Sequence, residues 1–273
     1  MKFKTLNKPM NTKIITSILV FLLSFLNSYS QEAEKIFHDK YSKLSFVFQP
    51  STITGFYSSN RNNSSYPSIK FDDSGSYQFG VYYNFAQKNN FNFKTGLIAK
   101  EFNPLFTLNV NDLDIGYGNG YSLTEINPCK AFILSVPIKT EYFYKINDKL
   151  NFVIGGGLNL NLYTGGGVTT TEVTVESNTE GRKIFTAVTN QEQITFSSEL
   201  SFGVNYKTKF ALLQLEAFYN RNLIQYPATG RYFIYDLRNS GDVSGDFSID
   251  GNFYGLSLAV SPKKGWLKKK SRK

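Results

Sequence analysis

From Ile194 to Asn220 apolar and polar residues alternate almost without interruption. Ile194, Phe196, Ser198, Leu200, Phe202, Val204 and Tyr206 share one side of an extended chain, with Thr195, Ser197, Glu199, Ser201, Gly203 and Asn205 on the other. Lys207-Thr208-Lys209 interrupts the pattern. From Phe210 it resumes, with Ala211, Leu213, Leu215, Ala217 and Tyr219 set against Leu212, Gln214, Glu216, Phe218 and Asn220. Successive side chains of a strand point to opposite faces, so a period of two on either side of a tight polar turn predicts a β-hairpin.

The same period predicts six further strands. The first begins with Leu44, Phe46 and Phe48 and runs to about Phe56. Its alternation slips at Pro50, where a bulge or an edge-like start is expected because proline cannot donate to a ladder. Others run from Tyr77 to Phe85, from Phe91 to Ala99, from Phe132 to Tyr144, from Phe152 to Leu162 and from Tyr254 to Val260. Short polar turns follow the second, fourth and sixth strands. Long segments rich in Asn, Gly, Thr and Asp follow the odd ones: Ser58 to Ser74, Asn103 to Lys130, Thr164 to Gln193 and Arg221 to Gly251. Inside the third long segment, Val168 to Glu176 can pair with Arg182 to Thr189 as a hairpin whose faces are both too polar for lipid. Inside the fourth, Tyr232 to Tyr235 could extend a strand.

Each of the eight main runs, the last continued to the end of the barrel at residue 262, is long enough to cross a bilayer at a tilt, which takes about 9 to 11 residues. With both termini on one side, all short turns face one compartment and all long loops the other, as in outer-membrane barrels. The chain thus predicts an all-β fold, an eight-stranded antiparallel up-and-down transmembrane β-barrel. Two alternatives remain open: ten strands, if residues 168–190 also cross, and a soluble β-barrel or sandwich with its apolar face turned inward.

Phe85 and Phe91, Tyr144 and Phe152, and Tyr206 and Phe210 bracket the three short turns, which also carry Lys88, Lys145, Lys149, Lys207 and Lys209. Rings with an apolar body and a polar edge suit the membrane-water interface, so these six aromatics are the expected girdle. On the wet faces, Lys94, Lys100, Lys139, Glu141, Glu199, Gln214 and Glu216 point to the expected lumen. Eight strands enclose a space that side chains can fill, so these residues are expected to form a salt-bridged filling more than an ion path.

Ahead of the barrel, Lys2, Lys4, Lys8 and Lys13 precede an apolar run from Ile14 to Leu26 and then Ser28-Tyr29-Ser30. This is the layout of a signal peptide cleaved after Ser30. Gln31 and not cysteine follows the cut, which argues against a lipoprotein. The expected organisation is therefore 1–30 signal peptide, 31–43 periplasmic lead-in, 44–262 barrel and 263–273 basic periplasmic tail.

The net charge of +9 resides at the two ends, because residues 31–262 hold 19 basic and 21 acidic side chains. A basic footprint for nucleic acid is absent from the body. The expected contacts are outer-membrane lipid and a protein partner at the outer loops or the tail. Cys129 is the only cysteine, so no internal disulfide forms. His38, the only histidine, precedes the first strand, which argues against a catalytic triad on the loop side. Asp242, Asp246 and Asp250 lack the spacing of a calcium loop and read as a solvated acidic segment. No catalytic residue, cofactor site or metal site is expected.

Several segments together resemble the PorT-like outer-membrane β-barrel family of Bacteroidetes-type bacteria. They are the signal peptide, Ser135-Val136-Pro137-Ile138-Lys139 leading to Tyr142-Phe143-Tyr144-Lys145, the turn Ile146 to Lys149 with Phe152 and Gly155-Gly156-Gly157 beyond, and Tyr254-Gly255-Leu256-Ser257-Leu258. Gly255, Leu258 and Val260 also resemble part of the last-strand signal for barrel insertion, although Phe253 departs from it and the chain ends on Lys and Arg instead of an aromatic. The resemblance implies an integral outer-membrane protein, some relatives being linked to secretion or gliding. The expected role is an interaction or secretion-accessory barrel acting through its outer loops, the alternative being a small-solute channel.

Overall fold

A computed structural model describes residues 40–60, 68–110, 121–127, 129–165, 167–176, 181–223, 226–235 and 242–265. The expected signal peptide, His38 and most of the basic tail lie outside the described residues. Eight strands form the barrel: β1 (Leu44–Asn60), β3 (Ser74–Lys88), β4 (Phe91–Phe102), β7 (Ala131–Lys145), β8 (Leu150–Thr164), β11 (Ile194–Lys207), β12 (Ala211–Asn222) and β14 (Val243–Pro262). They pair antiparallel in chain order, and β14 returns to β1, so the sheet closes. These are the eight expected strands. Closure leaves no exposed barrel edge.

The three short turns have local causes. Asn89 takes the left-handed conformation (φ 52°) that a tight hairpin turn requires and that asparagine tolerates. Asn147 Oδ1 accepts from the backbone N–H groups of Lys149 and Leu150, each at 2.9 Å. Thr208 Oγ1 accepts from the N–H groups of Phe210 and Ala211 at 3.1 and 2.8 Å.

The apolar face points outward. Leu200 is 68% exposed, Ile138 65% and Phe46 58%, while the alternating polar residues between them are buried in the lumen. A soluble barrel or sandwich has the opposite arrangement, and so continuous an exposed apolar surface is stable only against lipid. The soluble alternative is thereby excluded.

Above the mouth on the loop side, β14 parts from β12. Its lower half pairs with β12, whereas residues 243–249 pair with β13 (Ala228–Ile234), which continues through β10 (Gly181–Gln191) to β9 (Gly167–Glu176). The expected polar hairpin is this β9–β10 pair. It projects beyond the barrel and adds no crossing strands, which removes the ten-strand alternative. A second sheet holds β2 (Ser68–Asp72), β5 (Leu105–Val110) and β6 (Tyr121–Ile126).

The structure departs from the expected pattern at four places. The bulge lies between Thr54 and Phe56, not at Pro50, which keeps register with Tyr77. Pro50 faces outward, and the kink is carried by Gly55 (φ +85°) with Gly251 (φ +66°) on the facing strand. A Cβ on Gly55 would lie 2.7 Å from that of Asp250, so only glycine fits where barrel passes into extension. The last strand starts at Val243, eleven residues before Tyr254, because half of it lies outside the barrel. The long segments after the first and third strands contain β2, β5 and β6. The β9–β10 hairpin is not polar on both faces: Ile184, Phe185 and Ala187 of β10 are buried.

Candidate functional site: the lumen and its closures

The lumen has three layers. At the loop side, the extension sheet and the β2–β5–β6 sheet enclose an apolar core that includes Ile53, Phe102, Phe106, Leu108, Phe185 and Phe247. The rings of Phe106 and Phe247 meet edge to face at 5.1 Å, joining the two sheets. At the turn side, Tyr41 from the lead-in packs on Phe143, Val153 and Leu212, and its hydroxyl donates to the Thr208 carbonyl at 3.2 Å. Tyr41 is held there by its bridge to Lys263. Between these closures the interior is mainly polar, with one small apolar cluster of Val47, Tyr82, Ile98 and Ala259.

All seven expected lumen residues are buried in that middle layer. Lys94 of β4 and Lys139 of β7 are direct cross-strand neighbours. Like charges so placed repel, and each is offset by a carboxylate. Lys94 pairs with Glu141, whose Oε1 also accepts from Gln214 Nε2 at 2.6 Å and whose Oε2 accepts from Asn92 at 2.9 Å. Lys139 reaches across β8 to Glu199 of β11 at 2.5 Å.

That reach depends on the glycine run. Gly157 pairs with Lys139 on one side and Glu199 on the other, and a Cβ there would lie 2.7 Å from Lys139 Cγ. Gly155 does the same between Glu141 and Ser201, whose hydroxyl donates to Glu216 at 2.9 Å. Gly156 points outward between them, consistent with the period of two. Lys100 sits nearer the mouth, 3.4 Å from Asn161 Oδ1 and 5.6 Å from the centroid of the Phe253 ring. Three ammonium groups and three carboxylates thus fill the middle layer with no net charge.

Two members were not singled out in the sequence. Tyr82 lies on the wet face of β3, and its buried ring receives Lys94 Nζ at 4.2 Å and Lys139 Nζ at 5.6 Å from its centroid, a cation–π clamp. Asn92 joins Glu141 to Asn84 Oδ1, to which it donates at 2.8 Å. Their positions opposite apolar neighbours were the available signal. Polar pairs complete the ring where β1 meets its neighbours, with Gln49 donating to Ser257 at 3.1 Å and Gln78 to Ser51 at 3.0 Å.

Five of the six girdle aromatics lie near the turn-side ends of their strands and Phe210 lies in the turn before β12, but only Tyr144 and Phe152 face each other across a ladder. Phe85 falls in a bulge and approaches Phe93 at 6.4 Å, while Phe91 packs on Tyr142 at 5.0 Å. Cys129 is buried in the loop-side core, outside the spanning strands, and burial pushes its thiol up to about 12. Asp246 accepts from Arg231 Nε at 3.2 Å on the outer face of the extension. Burial raises the Asp250 carboxyl against the opposing pull of Arg221. Among the described residues no three His, Cys, Asp or Glu come together as a metal set. On that outer face, Val168, Val188, Arg231 and Phe233 line a shallow groove.

A closed eight-stranded barrel with an apolar exterior and a salt-bridged interior defines a membrane-spanning β-barrel of the outer-membrane type. No protein-family model matches the chain, and no curated protein matches it. Among solved structures it is similar to outer membrane protein OprG from Pseudomonas aeruginosa, at 14% identity over 79% of this chain and 95% of that one, with a TM-score of 0.38. It is also similar to Neisserial surface protein A, at 12% identity over 80% and 97%, with a TM-score of 0.33. The outer membrane protease OmpT from Escherichia coli follows at 10% identity over 82% and 94%, with a TM-score of 0.35.

Proposed function

We propose that this protein is an exported outer-membrane barrel without catalytic activity, serving as an interaction or secretion-accessory component through its loop-side extension. The observation that carries this is the double closure of the lumen. A solute would have to displace the Phe106–Phe247 core at one end and Tyr41 with its three apolar partners at the other, and between them break two buried ion pairs. The barrel therefore acts as an anchor, and the chemistry available to a partner is on the extension. There the groove combines apolar Val168, Val188 and Phe233 with the Arg231–Asp246 pair, a mixture suited to protein contacts. Export by the segment ending at Ser30, periplasmic termini and a place beside PorT-like barrels belong to the same proposal.

The test has two parts. In planar bilayers the purified protein passes no steady current; open-channel conductance would overturn the anchor reading in favour of a solute channel. In intact cells, a photo-cross-linking residue at Val188 or Arg231 captures a defined partner. Absence of any adduct at both positions, with the loops inaccessible from outside, would overturn the interaction reading and its topology.

A further inference from the structure

The turn-side rim carries a charge pattern that the barrel itself does not need. Lys88 lies on the first turn, Lys145 and Lys149 flank the second, and Lys207 and Lys209 flank the third. The joined ends of β1 and β14 add Lys43 and Lys263, beside the bridge that fastens Tyr41. Among the described residues of these turns the one acid is Asp148, and it pairs with Lys145 at 2.8 Å. Among the described side chains the loop side has the opposite bias: Asp72, Asp73, Glu101, Glu172, Glu192, Asp242, Asp246 and Asp250 lie there with Lys130, Arg221 and Arg231.

Placement decides what such a rim can hold. Three turns and the joined ends alternate around the closed sheet, one after every second strand, so cations stand at intervals around the whole circumference. Just inside them the exposed rings of Phe85, Tyr144, Tyr206 and Phe210 mark the depth at which a bilayer meets water. A globular partner covers one sector of a barrel. Only the bilayer surrounds it, and the headgroups at that depth are level with the lysines.

We propose that the turn-side rim is a binding surface for anionic phospholipid headgroups. Each ammonium group sits within a Debye length of the leaflet surface, and its flexible stem lies along the aromatic belt with its charge among the phosphates. The collar fixes the barrel's depth and selects its neighbouring lipids. It stands on the membrane-spanning class alone, and not on the proposed accessory role.

Spin-label spectroscopy of the protein in phosphatidylcholine bilayers tests it, by comparing how strongly nitroxide-labelled phosphatidylglycerol and phosphatidylcholine become immobilised. The expected result is a preference for phosphatidylglycerol of roughly fivefold at each lysine contact, falling towards one as sodium chloride is raised to molar levels. Combined Lys88→Gln, Lys145→Gln, Lys149→Gln, Lys207→Gln and Lys209→Gln lowers the preference, leaving only what Lys43, Lys263 and the basic tail contribute, with folding verified by heat-modifiable gel mobility, and Lys130→Gln on the loop side leaves it unchanged. The salt titration on the unaltered protein tests the inference even if the combined variant does not fold. A ratio near one in the unaltered protein, or an undiminished preference in the folded variant, would overturn it. So would polyglutamate binding to the rim in phosphatidylcholine bilayers without any lipid preference, which would assign the rim to an acidic macromolecule.

Discussion

Lys139 and Glu199 meet at 2.5 Å across an intervening strand, and the residue between them is Gly157. Both side chains are buried, so the pair is isolated from water and each charge depends on the other. Glu199→Gln leaves the ammonium group of Lys139 without its charge partner and costs about 3–5 kcal/mol. Lys139→Met combined with Glu199→Leu recovers most of that loss, because apolar groups of similar volume remove both desolvation penalties. Urea unfolding in lipid vesicles measures both variants; equal instability of the single and double variants would contradict the coupling.

Gly157→Ala tests the reach itself. The added methyl lies within 3 Å of Lys139 Cγ and close to the β7 backbone, so the lysine must leave its line to Glu199. A loss of about 1–3 kcal/mol is expected. Gly156→Ala, facing lipid with its nearest contact at 3.6 Å, is the matched control and leaves stability nearly unchanged.

Phe247 belongs to the loop-side core and not to the barrel wall. Phe247→Ala removes its contact with Phe106 and weakens the extension by about 3–5 kcal/mol. Limited proteolysis then cuts between β9 and β13, while the heat-modifiable barrel band persists. Loss of both together would show that barrel and extension fold as one unit.

Cys129 reports the integrity of the same core. Its buried thiol resists a water-soluble maleimide at pH 8 in the folded protein and reacts after denaturation. The pH dependence follows from its folded value of about 12 against an ordinary value of about 8.5 when unfolded. Between those values the unfolded chain has lost the proton that the folded one keeps, so stability falls as pH rises. Below about 8.5 this contribution to stability is fully present. Cys129→Ala removes that slope in alkaline unfolding titrations.

Gly55→Val should act on the junction between barrel and extension. Its φ of +85° is a region that β-branched residues avoid, and Asp250 stands where the side chain would go. The bulge shifts or opens, and the upper halves of β1 and β14 lose their register. Hydrogen exchange rises there and stays low below Thr52.

The barrel was legible because its strands obey the simplest rule a chain can follow. Lipid outside and a polar lumen inside impose a strict period of two, and it persists from Ile194 to Tyr206 without reference to any other part of the chain. The extension was not legible for the opposite reason. Val243 to Asp250 reads as an acidic Gly-rich loop, and Leu105 to Val110 is only a short alternating run. Each gains meaning from partners far away in sequence, such as Phe106 against Phe247. Likewise Pro50 looked like a site of disruption, although its missing N–H is tolerated in register and the bulge belongs to glycines at 55 and 251.

From the chain alone follow the eight main strands, the residues that share each of their faces and the short turns between them, because these depend on periodicity and local turn chemistry. Tertiary structure alone decided that the apolar face points outward, that Lys94 and Lys139 are neighbours each matched to a glutamate, and that both ends of the lumen are closed. Those facts depend on which strands lie beside each other and on where the chain goes after leaving the barrel. Pairing register and long-range packing fix both, and neither leaves a periodic trace in the chain.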